Sequence, residues 1–137
     1  MLTVSKSVRF DAAHILTNHR GLCKNLHGHT YRLETVVRGG DGEDMVIDFK
    51  DLKAATEETV VSRFDHAFMY NTQSAAECEI AALVEKHGMR TVALPFRSTA
   101  ENLARHFFSM LKPRIAGLCA VRVWETADSC AEYREDA

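Results

Sequence analysis

The segment Cys23-Lys24-Asn25-Leu26-His27-Gly28-His29 places one thiol and two imidazoles within seven residues. On a β-strand, residues i and i+2 point to the same face, so His27 and His29 can reach one metal ion from a single element. Imidazole and thiolate both suit zinc, and the segment therefore predicts a zinc site. A His-x-His pair alone is a weak signal, because paired surface histidines also arise by chance. A third ligand and an acid–base pair elsewhere in the chain strengthen this interpretation.

Length and composition are those of an ordinary globular domain. The chain has 137 residues, which suits one domain spanning 1–137, and it is 46% hydrophobic and 26% charged. The net charge is -2 and there is no basic stripe, which argues against a nucleic-acid partner. No membrane-spanning run and no signal-peptide pattern is present, so we expect a cytoplasmic protein. Four thiols are then expected to be reduced: Cys23, Cys78, Cys119 and Cys130.

Residues 2–14 alternate as a half-buried β-strand does. Val8, Phe10 and Ala12 share the apolar face, and His14 falls in phase with them at the end of the strand. Taken alone, this position is typical of a core histidine whose hydrogen bonds are satisfied inside the protein. The next strand makes a metal ligand the better interpretation.

That second strand is predicted at residues 27–38, after a loop at 16–26. Its odd positions are the more apolar ones, so His27 and His29 also point inward. If the two strands form an antiparallel hairpin, His14 lies near the start of the second strand, and three imidazoles converge at one end of the sheet. Three histidines with an open fourth position form the geometry of a catalytic zinc site.

Apolar residues at helical spacing predict three helices, at residues 49–63, 74–88 and 99–111. The first has Asp48 as its predicted N-cap. The other two begin with Ser-x-x-Glu patterns that resemble capping boxes, formed by Ser74 with Glu77 and by Ser98 with Glu101. Extended segments are predicted at residues 91–95, 118–126 and 131–135. The element order therefore predicts an α+β protein.

Asp65 and His66 follow the first helix directly. A carboxylate can fix the orientation of an imidazole and stabilise its charged form, as in acid–base pairs. The alternative is a surface histidine at a helix C-terminus, where a positive charge is favoured in any case. Spacing alone favours this simpler alternative.

Glu125 lies in phase with Val121 and Val123 on the strand at 118–126. A carboxylate on an apolar face costs free energy unless it is paired. Its partner could be an arginine, or a ligand that presents two parallel N–H donors to the carboxylate.

Taken together, these motifs resemble the 6-pyruvoyl-tetrahydropterin synthase superfamily over nearly the whole chain. The spacing between Cys23 and His27 is similar to that of the bacterial 6-carboxy-tetrahydropterin synthases. The matching motifs occur in the family's order: Phe10-Asp11-Ala12-Ala13-His14, Cys23-x-x-x-His27-Gly28-His29, Val46-Ile47-Asp48-Phe49, Asp65-His66, Thr99-Ala100-Glu101-Asn102 and Glu125-Thr126.

The resemblance implies a tunnelling fold, which is a four-stranded antiparallel sheet with helices on one face. It also implies a homo-oligomer, in which trimers close the sheets into a barrel and two trimers stack. The segment 71–97 is longer than in the shortest relatives and looks like an inserted helix that should not touch the metal.

The resemblance further implies the chemistry. Similar enzymes convert 7,8-dihydroneopterin triphosphate to 6-carboxy-5,6,7,8-tetrahydropterin with release of acetaldehyde and triphosphate, a step toward queuosine. Zn²⁺ would be held by His14, His27 and His29. Cys23 would act as general base, and Asp65 with His66 as the acid–base pair. Glu125 would anchor the pterin ring, and Thr99 would add a contact.

Three questions stay open at this point. A synthase that forms the 6-pyruvoyl product would carry the same ligands. A non-catalytic zinc protein could close a four-ligand structural site with the three histidines and Cys23. Cationic partners for the triphosphate are also undecided, with Arg9, Arg20 and Lys24 as candidates near the zinc ligands in sequence.

Overall fold

Six strands form one sheet in the computed structural model, which describes residues 1–136. The strand order is β4-β3-β1-β2-β5-β6. In chain order the strands are β1 Thr3–His14, β2 His27–Arg38, β3 Ala67–Asn71, β4 Thr91–Leu94, β5 Leu118–Thr126 and β6 Ser129–Arg134. The predicted domain ends at Ala137, which lies outside the described residues.

Strands β1, β2, β5 and β6 form the predicted four-stranded antiparallel sheet. β1 and β2 pair along their whole length, from Thr3 opposite Arg38 to His14 opposite His27. This register results from the alternation of both strands, because a slip of one residue would turn the apolar side chains toward the other face. The three predicted metal ligands therefore lie at one end of this hairpin.

Strands β3 and β4 correct the prediction of four strands, because they extend the sheet to six. β3 runs parallel to β1, with Ala67 opposite Ala12, and β4 runs parallel to β3. The sheet is therefore mixed. No strand is predicted from the sequence at residues 67–71, and β4 is predicted only as the extended segment 91–95.

Three helices cover the apolar face of the β1–β2 hairpin. They are α1 Phe49–Thr56, α2 Ser62–Phe64 and α4 Ala100–Leu111. A π-helical turn, Glu57–Val61, joins α1 to α2 inside the predicted helix 49–63. Their apolar sides pack on the even residues of β1 and the odd residues of β2. The main core therefore surrounds a set of large, fully buried side chains: Tyr31, Leu33, Leu52, Phe64, Leu103, Phe107, Phe108 and Leu111.

Helix α3, Ala75–Lys86, packs on the other face of the sheet. Ala67 and Met69 of β3 belong to the main core, whereas Phe68 packs with Ala81 of α3 and with Ile15 in a second, smaller cluster. Because adjacent residues of a strand point to opposite faces, α3 and the main core must lie on opposite sides of β3. The segment 71–97 thus adds a layer behind the sheet.

Side chains at the helix N-termini explain where the helices begin. Asp48 accepts a hydrogen bond from the Lys50 N–H at 2.8 Å, as predicted for an N-cap. Thr99, and not Ser98, is the N-cap of α4, since its hydroxyl accepts from the Asn102 N–H at 3.2 Å. The capping box predicted at Ser98 is therefore wrong, and Ser98 instead contacts His14.

The four cysteines are free thiols, and Cys119 is buried while Cys130 is exposed. A helix with the length and apolar character needed to cross a membrane does not occur within residues 1–136.

Candidate metal centre and its surroundings

Three imidazoles meet where β1 ends and β2 begins. The ring nitrogens of His14, His27 and His29 lie within 4.8 Å of one another. The His14 Nε2 is 3.1 Å from the His27 Nε2. His14 is fully buried, and the other two histidines are partly buried. The structure thus brings together the three residues that the sequence pattern predicts as metal ligands.

Backbone carbonyls fix the tautomers of two of these histidines. The Nδ1 of His14 lies 2.9 Å from the Ser98 carbonyl oxygen, and the Nδ1 of His27 lies 2.7 Å from the Asn25 carbonyl oxygen. A carbonyl oxygen only accepts, so each Nδ1 must carry the hydrogen, and in the neutral ring Nε2 then presents a lone pair. Two lone pairs that face each other repel unless a cation lies between them.

His29 gives a second sign of a missing partner. Its Nε2 is buried, and it finds no hydrogen-bond partner among residues 1–136. Such orphaned atoms are uncommon in folded proteins and call for a specific cause. A metal ion bound by the three Nε2 atoms would satisfy all of them. Two nitrogens at the usual distance from a tetrahedral zinc ion are about 3.4 Å apart, close to the observed spacing. The donor set therefore fits zinc.

Burial keeps these rings in the form that binds a metal. The pKa of His14 is lowered from 6.5 to about 4, chiefly by burial and also by the neighbouring His27 and His29, although the hydrogen bond to Ser98 opposes this shift. The pKa of His29 is also lowered, first by burial and then by His27. Both rings are neutral at physiological pH and keep a nitrogen lone pair for coordination.

Gly28 allows the two strands to approach each other at this point. A Cβ atom on Gly28 would lie 2.9 Å from the carbonyl oxygen of Ala12 on β1. A side chain would therefore push apart the strands that carry His14 and His27. The glycine between the two histidines of β2 is a steric requirement of the site.

Glu125 stands beside the histidines at the edge of a cavity of about 610 Å³. Its carboxylate is 3.8 Å from the His29 Nε2. Burial raises the pKa of Glu125, and the nearby Glu101 carboxylate raises it further, although His27 opposes this. The cavity is also lined by Thr99, whose hydroxyl caps α4, and by Arg97. The two residues predicted to bind substrate thus line one cavity next to the histidines.

Cys23 lies on the 3₁₀ turn Leu22–Lys24 and is partly exposed. Its sulfur is not part of the group of ligand atoms that the three histidines form. The Cys23 carbonyl accepts a hydrogen bond from the Leu16 N–H at 2.9 Å, which closes the loop between β1 and β2. The geometry does not place Cys23 as a fourth ligand of a closed structural site.

Asp65 and His66 form a pair beside Asp11 of the β1–β2 hairpin. The Asp65 Oδ1 lies 3.0 Å from the His66 Nδ1 and accepts a hydrogen bond from the Asp11 N–H at 3.0 Å. The pKa of Asp65 is lowered, chiefly by that N–H and also by His66 and Arg90. His66 lines a second cavity with Asp11, Ala13 and Thr30, which alternate with the histidines along β1 and β2, and His29 also lines this cavity.

The backbone at His66 is held in an unusual conformation. His66 has φ 61° and its side chain is 76% exposed. A left-handed conformation costs free energy at a non-glycine residue and persists where its surroundings enforce it. The His66 N–H donates to the Asp11 carbonyl at 2.6 Å, and an Arg90 N–H donates to the Asp65 carbonyl at 2.9 Å. These bonds direct the imidazole outward.

Several contributors to the site are not predicted from the sequence. Ser98 orients His14, although its motif predicts a helix cap. The Tyr31 hydroxyl lies 3.3 Å from the His14 Nδ1, and its position in phase with His29 is the signal that could have identified it. Asp11, which holds the Asp65–His66 turn, carries no signal beyond its place in the Phe10-Asp11-Ala12-Ala13-His14 motif.

Sequence comparisons relate the chain to pterin enzymes. A family profile described as 6-pyruvoyl tetrahydropterin synthase matches residues 3–136. The chain is 42% identical to a 6-carboxy-5,6,7,8-tetrahydropterin synthase of Haemophilus influenzae, covering 98% of this chain and 100% of that protein. It is 38% identical to a protein of the same name from Aquifex aeolicus, covering 97% and 98% of the two chains.

Structural comparisons show the same fold. The 6-pyruvoyl tetrahydropterin synthase of Caenorhabditis elegans matches with a TM-score of 0.69 and 24% identity, covering 98% of this chain and 96% of that one. The enzyme of the same name from Plasmodium vivax matches over 100% of both chains, with a TM-score of 0.73 and 19% identity. The matched profile and the bacterial relatives together show that this chain belongs to the 6-pyruvoyl tetrahydropterin synthase family of enzymes.

Proposed function

We propose that this protein is a zinc-dependent synthase that converts 7,8-dihydroneopterin triphosphate to 6-carboxy-5,6,7,8-tetrahydropterin, releasing acetaldehyde and triphosphate. The main observation behind the proposal is that three histidines converge and that no group among residues 1–136 binds their Nε2 atoms in common. The bacterial relatives named for the carboxy product support this product over the pyruvoyl one. The reaction would be a step toward queuosine.

Three histidines would hold the metal: His14, His27 and His29. When bound, zinc would supply Lewis-acid chemistry that makes protons of the substrate easier to remove. The Glu125 carboxylate lies 3.8 Å from the His29 Nε2. A half-buried carboxylate there can accept two parallel N–H bonds from a pterin ring and fix its orientation. Thr99 would add a contact from the same cavity.

Cys23 and His66 would carry the protons. Cys23, as its thiolate, would accept a proton from the substrate carbon. His66, held by Asp65, can return a proton near neutral pH. Each positioned acid or base contributes about 10²- to 10⁴-fold to the rate.

The placement of these groups supports an oligomer. The three histidines and the Asp65–His66 pair form separate groups in one protomer. We infer that a second copy would supply the pair, in line with the trimers that the family resemblance implies. We therefore propose a homo-oligomer, a trimer or a dimer of trimers, whose mass sedimentation equilibrium would measure. A monomer with full activity would contradict this arrangement.

Product analysis by mass spectrometry tests the proposed reaction. Zinc-loaded protein is incubated with 7,8-dihydroneopterin triphosphate, and we expect 6-carboxy-tetrahydropterin together with acetaldehyde. A 6-pyruvoyl product would instead assign the protein to the other activity of its family. Absence of turnover from the zinc-loaded protein would contradict both activities.

The substitution Cys23→Ala separates a catalytic thiol from a structural ligand. We expect the purified variant to keep its zinc and to lose turnover, because Cys23 lies outside the histidine group. A non-catalytic His3Cys zinc protein would instead lose stoichiometric zinc and fold stability on the same change.

A further inference from the structure

Glu77 is a carboxylate enclosed by the protein in the first turn of α3. Only 1% of the surface of Glu77 is exposed. One carboxylate oxygen accepts a hydrogen bond from the Asn71 N–H at 3.1 Å, and the other accepts from the Thr17 hydroxyl. A buried carboxylate is tolerated only where such bonds replace its lost hydration, so both contacts constrain their donors.

This arrangement differs from the predicted capping box. The Ser74 hydroxyl does accept from the Glu77 N–H, at 3.2 Å. The reciprocal bond is missing, because the Ser74 N–H donates to the Asn71 carbonyl at 3.0 Å. The Glu77 carboxylate is used outside its own helix, where it reaches a residue sixty positions earlier in the chain. Ser74 supports the same contact, with its hydroxyl 3.3 Å from that of Thr17.

Thr17 lies at the base of the loop that carries Cys23. The chain leaves β1 after His14, and Ile15 packs against Phe68 and Ala81 behind the sheet. The Leu16 N–H then donates to the Cys23 carbonyl at 2.9 Å. Thr17 is the next residue, so a hydrogen bond at its side chain fixes the point from which the loop extends.

We propose that Glu77 is a positioning residue, which holds Thr17 and thereby fixes the loop that presents Cys23. The part of this inference that concerns turnover rests on the proposed function. The added helix α3 thus acts on the site without touching the three histidines. Without the bond, the base of the loop would open more often, and the Cys23 thiol would sample positions away from the substrate.

Thiol labelling tests the proposal without reference to turnover. The folded protein is treated briefly with iodoacetamide, and the modification of each cysteine is measured by peptide mass spectrometry. Thr17→Val removes the hydroxyl at nearly constant shape, whereas Thr17→Ser keeps a hydroxyl. Glu77→Gln removes the charge of the accepting carboxylate and should raise Cys23 labelling as Thr17→Val does. Glu79→Gln changes an exposed carboxylate on the same helix and is its matched control.

We expect Thr17→Val to label Cys23 about tenfold faster than the wild type, the size of effect that a lost hydrogen bond to a charged group produces. Thr17→Ser and Glu79→Gln should label at the wild-type rate. Buried Cys119 reports on global unfolding. If its labelling rises in parallel with that of Cys23, or if Cys23 labels at the wild-type rate in Thr17→Val, the proposal is wrong.

Kinetics supply the second measurement. A misplaced base lowers kcat while substrate binding through Glu125 persists, so Thr17→Val should reduce kcat about tenfold with KM nearly unchanged. Thr17→Ser should restore kcat. A change confined to KM would contradict a positioning role. If the wild-type protein itself gives no product, the proposed function fails, while labelling of Glu77→Gln and the Thr17 variants still decides whether the Glu77–Thr17 contact holds the loop.

Discussion

At the scale of single residues, Gly28 separates the two histidines of β2 and faces the backbone of β1. A Cβ atom at this position would lie 2.9 Å from the Ala12 carbonyl oxygen, which is closer than side chains tolerate, and the obstacle is backbone that cannot rotate away. We expect Gly28→Ala to lower the free energy of unfolding by about 1–3 kcal/mol, measured by denaturant titration.

Gly40→Ala is the matched control for this change. A Cβ on Gly40 would meet only the side chain of Glu43, at 3.4 Å. We expect a change below about 0.5 kcal/mol, which is normal for surface substitutions. Equal stability losses in the two variants would show that the close approach at Gly28 has no special cost.

His106 offers a residue-scale test of burial. It lies on α4, half-buried, with its ring centroid 5.3 Å from that of Phe96 and 6.2 Å from that of Phe64. Burial lowers the pKa of His106, and Arg63 lowers it further. The unfolded chain binds a proton near pH 6.5, whereas the folded protein resists protonation. This contribution to stability is complete above the unfolded pKa and is lost as the pH falls from there through the lower pKa of the folded protein.

We therefore expect His106→Gln to flatten the pH dependence of stability. Between about pH 7.5 and about pH 5.5, the free energy of unfolding should fall less in His106→Gln than in the wild type. His87→Gln, at an exposed position, is the control and should keep the wild-type slope. The measurement is urea unfolding at both pH values, and identical slopes in all three proteins would contradict the prediction.

At the same scale, the convergence of the three histidines could be predicted because alternation along two strands determines the direction of their side chains. The residues that orient them could not. Ser98 meets His14 across 84 positions of the chain, and Glu77 meets Thr17 across 60. No local pattern encodes such contacts. Both residues also occupy Ser-x-x-Glu motifs, so a local explanation was available for each.

At the scale of elements, the missed strand β3 shows what periodicity cannot detect. Four of its five residues are buried. Ala67 and Met69 face the main core while Phe68 faces α3, so the strand has no polar face and shows no alternation. Strands covered on both faces generally have this character. The long strands β1 and β2, with one apolar face each, were predicted to within one residue.

The start of α4 gives an element-scale prediction. Thr99 accepts a hydrogen bond from the Asn102 N–H and also lines the proposed substrate cavity. Thr99→Ala should lower the free energy of unfolding by about 1 kcal/mol because the cap is lost. Thr99→Ser keeps a capping hydroxyl and should retain nearly full stability. Thermal or urea unfolding of the two variants measures this, and an unchanged stability in Thr99→Ala would contradict the capping role.

At the scale of the whole molecule, a metal at the three histidines would stabilise the folded protein. The ligands come together only when β1 and β2 are paired, so an ion there binds the folded state far better than the unfolded chain. We expect removal of the metal by a chelator to lower the unfolding temperature. At about a thousandfold excess over the dissociation constant, the bound ion contributes about 4 kcal/mol.

His29→Ala should abolish the response to chelator, because it removes one of the three nitrogens. His19→Ala changes a histidine of the neighbouring loop and should respond as the wild type does. Differential scanning calorimetry with and without chelator makes the comparison. An equal fall in unfolding temperature for His29→Ala and the wild type would place the metal elsewhere.

The strand order of the sheet also predicts the order in which the strands pair during folding. The pairings of β1 with β2 and of β5 with β6 join strands that are consecutive in the chain, whereas the β2–β5 pairing brings Leu33 to Val123. Loops that close over short stretches cost less entropy, so the hairpins should form first. Weakened β1–β2 pairing should then slow refolding, and weakened β2–β5 pairing should mainly accelerate unfolding. The hairpin that bears the three histidines would then form before the sheet is complete, together with the β5–β6 hairpin, whose connection is shorter.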